Sequence, residues 1–118
     1  MSATVVERAR MLSLSAVHPN ALTDELCYGV SVIRLPKNGG SFQIPAFQVD
    51  ETGQLRDVVA EINTALFRVL DLWEACIWWC TENRYLSTRD KKLRPVDFLG
   101  DPTKEEQLRA VFATAHVV

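Results

Sequence analysis

Apolar residues recur at helical spacing early in the chain: Val5, Val6, Ala9, Leu12 and Ala16, with Glu7, Arg8 and Arg10 between them. This pattern predicts a helix over residues 4–14. His18-Pro19-Asn20 breaks it. Thr23 offers a side-chain cap to a short helix through Leu26 to Tyr28, which Gly29 ends. The period then changes. Val30, Val32, Ile33 and Leu35 precede Pro36-Lys37-Asn38-Gly39-Gly40, and Phe42, Ile44, Ala46 and Val49 follow it. Asn-Gly between two apolar runs predicts a β-hairpin that pairs 31–35 with 41–44. Pro45 would end the pairing, because proline has no ladder donor.

The second half is strongly helical in pattern. Asp50-Glu51-Thr52-Gly53 reads as a turn. Leu55, Val58, Val59, Ile62, Leu66, Val69 and Leu70 then form one apolar stripe, opposite Arg56, Asp57, Glu61 and Asn63. Asp71 and Glu74 have capping-box spacing ahead of a helix over 72–82. That helix is apolar nearly all round, which predicts a central position. Residues 83–94 form a polar connection, Pro95 suits the first turn of a short helix over 95–99, and Gly100-Asp101-Pro102 stops it. Thr103, with Glu106 three residues on, is the expected cap of a last helix bearing Leu108, Val111, Phe112 and Ala115 on one face. The expected fold class is therefore mainly α: a small helical bundle with one short β-hairpin near the N-terminal third. Residues 1–41 form an N-terminal helix and a degenerate wing-like region, and 42–118 form a helical binding domain, the two making one compact unit.

Composition narrows the function. The 118 residues are 47% hydrophobic and 24% charged, as in ordinary globular domains. A net charge of -2 gives the whole molecule no long-range pull on nucleic acid, so DNA contact would need a local patch. No apolar run approaches the ~18 residues of a membrane span. Residues 1–10 lack the apolar core of a signal peptide, so a cytoplasmic location is expected. Cys27, Cys76 and Cys80 have no disulfide-framework spacing and fit a reducing compartment. Cys76 and Cys80 share a helix face, where they could contribute to a metal site or simply pack as small apolar residues. The histidines, His18 and His116, are remote in sequence, so no metal is expected. No nucleophile–base constellation or phosphate-binding glycine loop is present, and Glu105-Glu106 suits the solvated first turn of a helix. The chain is expected not to be an enzyme and to need no cofactor.

The remaining candidates are contact residues. Trp73, Trp78 and Trp79 cannot all face one neighbour, because residues 78 and 79 differ by about 100° around the helix axis. Either they wall the hub of the bundle or at least one meets a partner or a second copy. Arg84, Tyr85, Arg89, Lys91, Lys92 and Arg94 form a basic stretch, either a solvated loop or a patch for an acidic partner or phosphate. Arg34 and Lys37 on the hairpin could touch DNA if the hairpin were the wing of a winged helix-turn-helix. The stretch before it is too short for a recognition helix.

From the hairpin onward the order of features resembles the toxin-binding domain of Xre/MbcA/ParS-type antitoxins. Phe42-Gln43-Ile44-Pro45-Ala46-Phe47-Gln48-Val49 is similar to the family's aromatic-x-x-Pro-Ala-aromatic-Gln-hydrophobic entry, followed by an Asp/Gly turn. Trp73 to Trp79 resembles its tryptophan-bearing helix. Thr81-Glu82-Asn83-Arg84-Tyr85-Leu86 resembles Thr-Pro-Asn-x-x-Leu, with Glu82 in place of the proline. Arg94-Pro95-Val96-Asp97-Phe98-Leu99 is similar to Arg-x-Pro-x-x-x-Leu, one residue shorter. The resemblance spans roughly 42–115. Many relatives carry a complete helix-turn-helix upstream, and this chain does not show one.

The resemblance implies a type II antitoxin of the bacterial cytoplasm. It would bind and block a RES-domain toxin that consumes NAD or transfers ADP-ribose from it. The toxin-binding residues it implies are Arg84, Tyr85 and Arg94, with Ala113, His116, Val117 and Val118 at the C-terminal end. Trp73, Trp78 and Trp79 are the candidates for dimer or partner contact in an expected homodimer. The alternative is a DNA-binding transcriptional regulator using the N-terminal region, with Arg34 and Lys37; a third is a structural adaptor with the same helical core.

Overall fold

The computed structural model describes residues 3–115. It contains five α-helices and one two-stranded hairpin among those residues: α1 (Val5–Leu12), α2 (Asp24–Tyr28), β1 (Leu35–Pro36), β2 (Phe42–Gln43), α3 (Asp57–Leu66), α4 (Leu72–Cys80) and α5 (Pro102–Ala115). The fold is mainly α, as the pattern predicts. No helix among the described residues is long and apolar enough to cross a membrane.

Local chemistry explains most helix boundaries. Thr4 and Glu7 form a reciprocal capping box at the start of α1. Asp71 and Glu74 form a second at the start of α4. The expected cap of α5 moves from Thr103 to Asp101, whose Oδ1 accepts from the backbone N–H groups of Thr103 and Lys104. Pro102 then occupies the first turn, where a missing N–H costs nothing. The apolar stripe to Leu70 also overreaches. α3 ends at Leu66, and the Val69 and Leu70 amides both turn back to the Leu66 carbonyl. That turn leaves Val69 exposed and sets up the Asp71 cap. In α1, Val5 and Val6 are exposed, and Met11 is the residue that enters the core.

The hairpin is shorter than its sequence pattern. Leu35 pairs with Gln43 and Pro36 with Phe42, around a turn in which Gly39 and Gly40 take φ of 85° and 81°. Residues 31–33 do not join a strand. The side chain of Gln48 replaces one: its Oε1 accepts from the Ile33 N–H at 2.8 Å, and its Nε2 donates to the Ile33 carbonyl at 2.9 Å. Asn63 of α3 donates through Nδ2 to Gln48 Oε1 and to the Ser31 carbonyl. Trp79 of α4 donates through Nε1 to Asn63 Oδ1 at 2.8 Å. Gln48, Asn63 and Trp79 are all fully buried.

Apolar packing closes around this network. One cluster joins Met11, Ile33 and Leu35 to Val58, Val59, Ile62, Leu66, Ala75, Cys76, Trp79, Leu86, Phe98 and Leu108. The chain before residue 42 and the helices after it therefore share one core. A smaller cluster of Leu26, Val32 and Ile44 holds α2 against the hairpin region. Phe47, Trp78 and Phe112 extend an aromatic chain around Trp79, with ring centroids 5.2–5.7 Å apart in tilted or edge-to-face pairs.

Gln48→Leu would strand the buried Ile33 amide and carbonyl, each costing about 1–3 kcal/mol. We expect a loss of roughly 2–4 kcal/mol in urea unfolding. Gln54→Ala on the exposed turn should change stability by less than about 0.5 kcal/mol. Equal effects at the two positions would show that the network carries no special share of the stability.

Candidate functional site

Three surface features collect the chemically distinctive side chains. The first is a groove of about 600 Å³ between α1, the hairpin and the start of α4. Arg8 and Lys37 supply its charge, and Leu12, Pro36 and Trp73 supply apolar surface. Packing fixes these positions. The Arg8 guanidinium lies 5.4 Å from the centre of the Trp73 ring. Gln43 Nε2 donates to the Leu12 carbonyl at 2.8 Å and ties the hairpin to the end of α1. The groove unites two sequence candidates, Trp73 and Lys37. Nothing local in the sequence marks Arg8, because its partner Trp73 lies 65 residues away.

The second feature follows α4. Asn83 organises the turn completely: its N–H donates to the Leu93 carbonyl, its Oδ1 accepts from the Tyr85 N–H, and its carbonyl accepts from Leu86, Ser87 N–H and Ser87 Oγ. Leu86 is thereby turned into the core. Arg84 and Tyr85 remain exposed, with the guanidinium 4.9 Å from the ring centre and Nη2 donating to the phenol oxygen at 2.8 Å. Arg94 donates through Nη2 to Asp97 Oδ1 at 2.9 Å, and Asp97 also accepts from the Arg94 backbone N–H at 2.8 Å. This pairing opens the 3-10 turn Pro95–Phe98. The Arg94 guanidinium beside Asp97 holds that carboxyl below the usual carboxylate range.

Cys76 and Cys80 meet beneath this turn as their spacing predicts. Cys76 is buried and Cys80 half-buried. The Cys76–Cys80 hydrogen bond and burial push the Cys76 thiol up. The same bond pulls the Cys80 thiol down, reinforced by Arg94 and Arg10 and opposed by burial and Asp97. Among the described residues, no group of three or more His, Cys, Asp or Glu side chains could hold a metal ion.

The third feature is the end of α5. Leu108 is buried and Val111 and Phe112 half-buried, while Ala113 and Thr114 are exposed. Arg109 ties the helix to α3 through Glu61, with Nε to Oε2 at 3.0 Å. His116, Val117 and Val118 lie outside the described residues.

Two contact candidates change status. Trp79 is 0% exposed and spends its N–H on Asn63, so it is a core residue and not a partner contact. Trp73 and Trp78 are half-buried, Trp73 in the groove and Trp78 edge-to-face against Phe112. Arg34 is drawn inward: its Nη1 donates to the Leu26 and Gly29 carbonyls at 3.1 and 2.8 Å, closing the end of α2. Lys37 keeps an exposed position. Comparison with protein-family models, curated proteins and solved structures finds no match to the chain.

Cys76 is buried and Cys80 half-buried, so a reagent reaches Cys80 first, and the nearby Arg94 guanidinium favours its thiolate, the nucleophilic form. Iodoacetamide at pH 7.5 should therefore alkylate Cys80 of the native protein at least tenfold faster than Cys76, and Arg94→Ala should slow Cys80. Peptide mass spectrometry over a time course measures both. Equal rates at the two sites would refute the assignment.

Proposed function

We propose that this chain is an antitoxin of a type II toxin–antitoxin system, acting in the bacterial cytoplasm by binding and blocking a RES-domain, NAD-consuming or ADP-ribosylating toxin. The observation that carries this is the place of the motif residues in the fold. Pro45 and Gln48 build the buried entry, where Gln48 bonds Ile33 and Asn63. Trp79 anchors α4 to the same Asn63. Asn83 and Leu86 form the turn after α4. Arg94 opens the following 3-10 turn through Asp97. Short motifs that could each arise by chance thus coincide, in order, with the parts that hold the helical unit together.

The scaffold also fits the inhibitory role. Arg84, Tyr85 and Ala113 are exposed on rigidly tied elements, as a contact surface needs. The proposed assembly is a homo-oligomer within a toxin complex, with Trp73 and Trp78 as its tryptophan contacts. The DNA-binding alternative has less support. α2 spans five residues, Asp24–Tyr28, short for a recognition helix, and Arg34 is bonded to backbone.

The end of α5 tests the proposal. Deletion of residues 113–118 removes no buried apolar anchor among the described residues, since Leu108, Val111 and Phe112 remain. The truncated chain should keep its circular dichroism and melting behaviour while neutralising the toxin at least tenfold less well in a growth-rescue assay. Full rescue by the folded truncation would sink the role given to this terminus.

A further inference from the structure

We propose that the groove between α1 and the hairpin is a second docking site, one that takes an acidic peptide segment bearing an apolar side chain. Its lining holds two cations, Arg8 and Lys37, and no carboxylate. Its surface between them is apolar where Leu12, Pro36 and the half-buried Trp73 line it, with Asn38 and Gln43 adding neutral polar groups. A leucine-sized or aromatic side chain fits a groove of about 600 Å³, while flanking carboxylates meet the cations at its rim. The groove is pre-formed. Arg8 is already seated on the Trp73 ring, and Gln43 locks the hairpin to the Leu12 carbonyl, so little ordering remains to oppose binding.

Charge decides between an acidic peptide and nucleic acid. A phosphate backbone is bound by neutralising several successive charges. Here the groove offers two cations, the nearby hairpin arginine, Arg34, is bonded to the Leu26 and Gly29 carbonyls, and the whole chain carries a net charge of -2. Two cations around an apolar floor match an acidic, apolar-anchored peptide better. If the antitoxin proposal holds, the segment belongs to the toxin and adds a contact remote from the α5 terminus. The groove proposal rests on that reading for its natural partner but not for its chemistry.

The experiment has two arms, each using the full chain and the double variant Arg8→Glu, Lys37→Glu. Both side chains are exposed, and circular dichroism verifies the fold. The first arm measures Kd for a purified candidate RES-domain toxin, by calorimetry at two salt concentrations. The second titrates a synthetic peptide of alternating glutamate and leucine and follows tryptophan fluorescence, with Trp73→Phe as the reporter control and a lysine–leucine peptide and a single-stranded oligonucleotide as competitors. We expect the double variant to weaken toxin binding tenfold or more and to flatten its salt dependence. The acidic peptide should give a saturable change that both the double variant and Trp73→Phe abolish. Unchanged toxin affinity in the double variant overturns the groove as a docking site while leaving the antitoxin proposal intact. If the wild-type chain binds no toxin, the antitoxin proposal fails and the peptide arm alone decides the groove. There, no saturable response, or tighter binding of the oligonucleotide than of the acidic peptide, overturns it.

Discussion

The fold depends on one buried amide. Gln48 faces the backbone of Ile33 with both ends of its side chain, as a neighbouring strand would, and passes the connection to Asn63 and through it to Trp79. An amide buried without partners is costly, and one with every partner in place fixes a single arrangement. All three side chains are fully buried, and no buried side-chain polar atom among the described residues lacks a partner. The network is why a segment outside any strand, residues 31–33, packs beside α3, and why the N-terminal region and the later helices share one core.

That shared core positions the surface features. α4 buries Ala75, Cys76 and Trp79 and leaves Trp73 at one end and Cys80 at the other. The first end meets Arg8 and the hairpin; the second meets the turn held by Asn83 and the Arg94–Asp97 pair. α5 closes the far side through Leu108 and the Arg109–Glu61 ion pair, and its last turn carries exposed Ala113. Surface ion pairs of this kind contribute about 1 kcal/mol or less, so they orient α5 more than they hold it.

Local signals in the sequence reached far. The Asp71–Glu74 capping box, the turn glycines and the near-continuous apolar character of α4 are all readable at spacings of a few residues. The misses are tertiary. The alternation at 30–35 predicted a longer strand, because nothing at that range reveals that Gln48 would serve as its partner. The stripe through Leu70 runs past the end of α3, because periodicity does not register that the Val69 and Leu70 amides turn back to the Leu66 carbonyl. The tryptophans could be narrowed to a helix but not ranked, since burial of Trp79 depends on Asn63 sixteen residues away. Arg8 was invisible for the same reason: its importance lies in meeting Trp73 across the fold.

The role we propose for this chain is to occupy a partner's active site. The most direct test of that role is the rate of NAD consumption by a purified candidate RES-domain toxin, measured as the chain is titrated in. Binding and blockade predict that turnover falls to near zero at a fixed stoichiometric ratio. Undiminished NAD turnover at saturating chain would contradict the account.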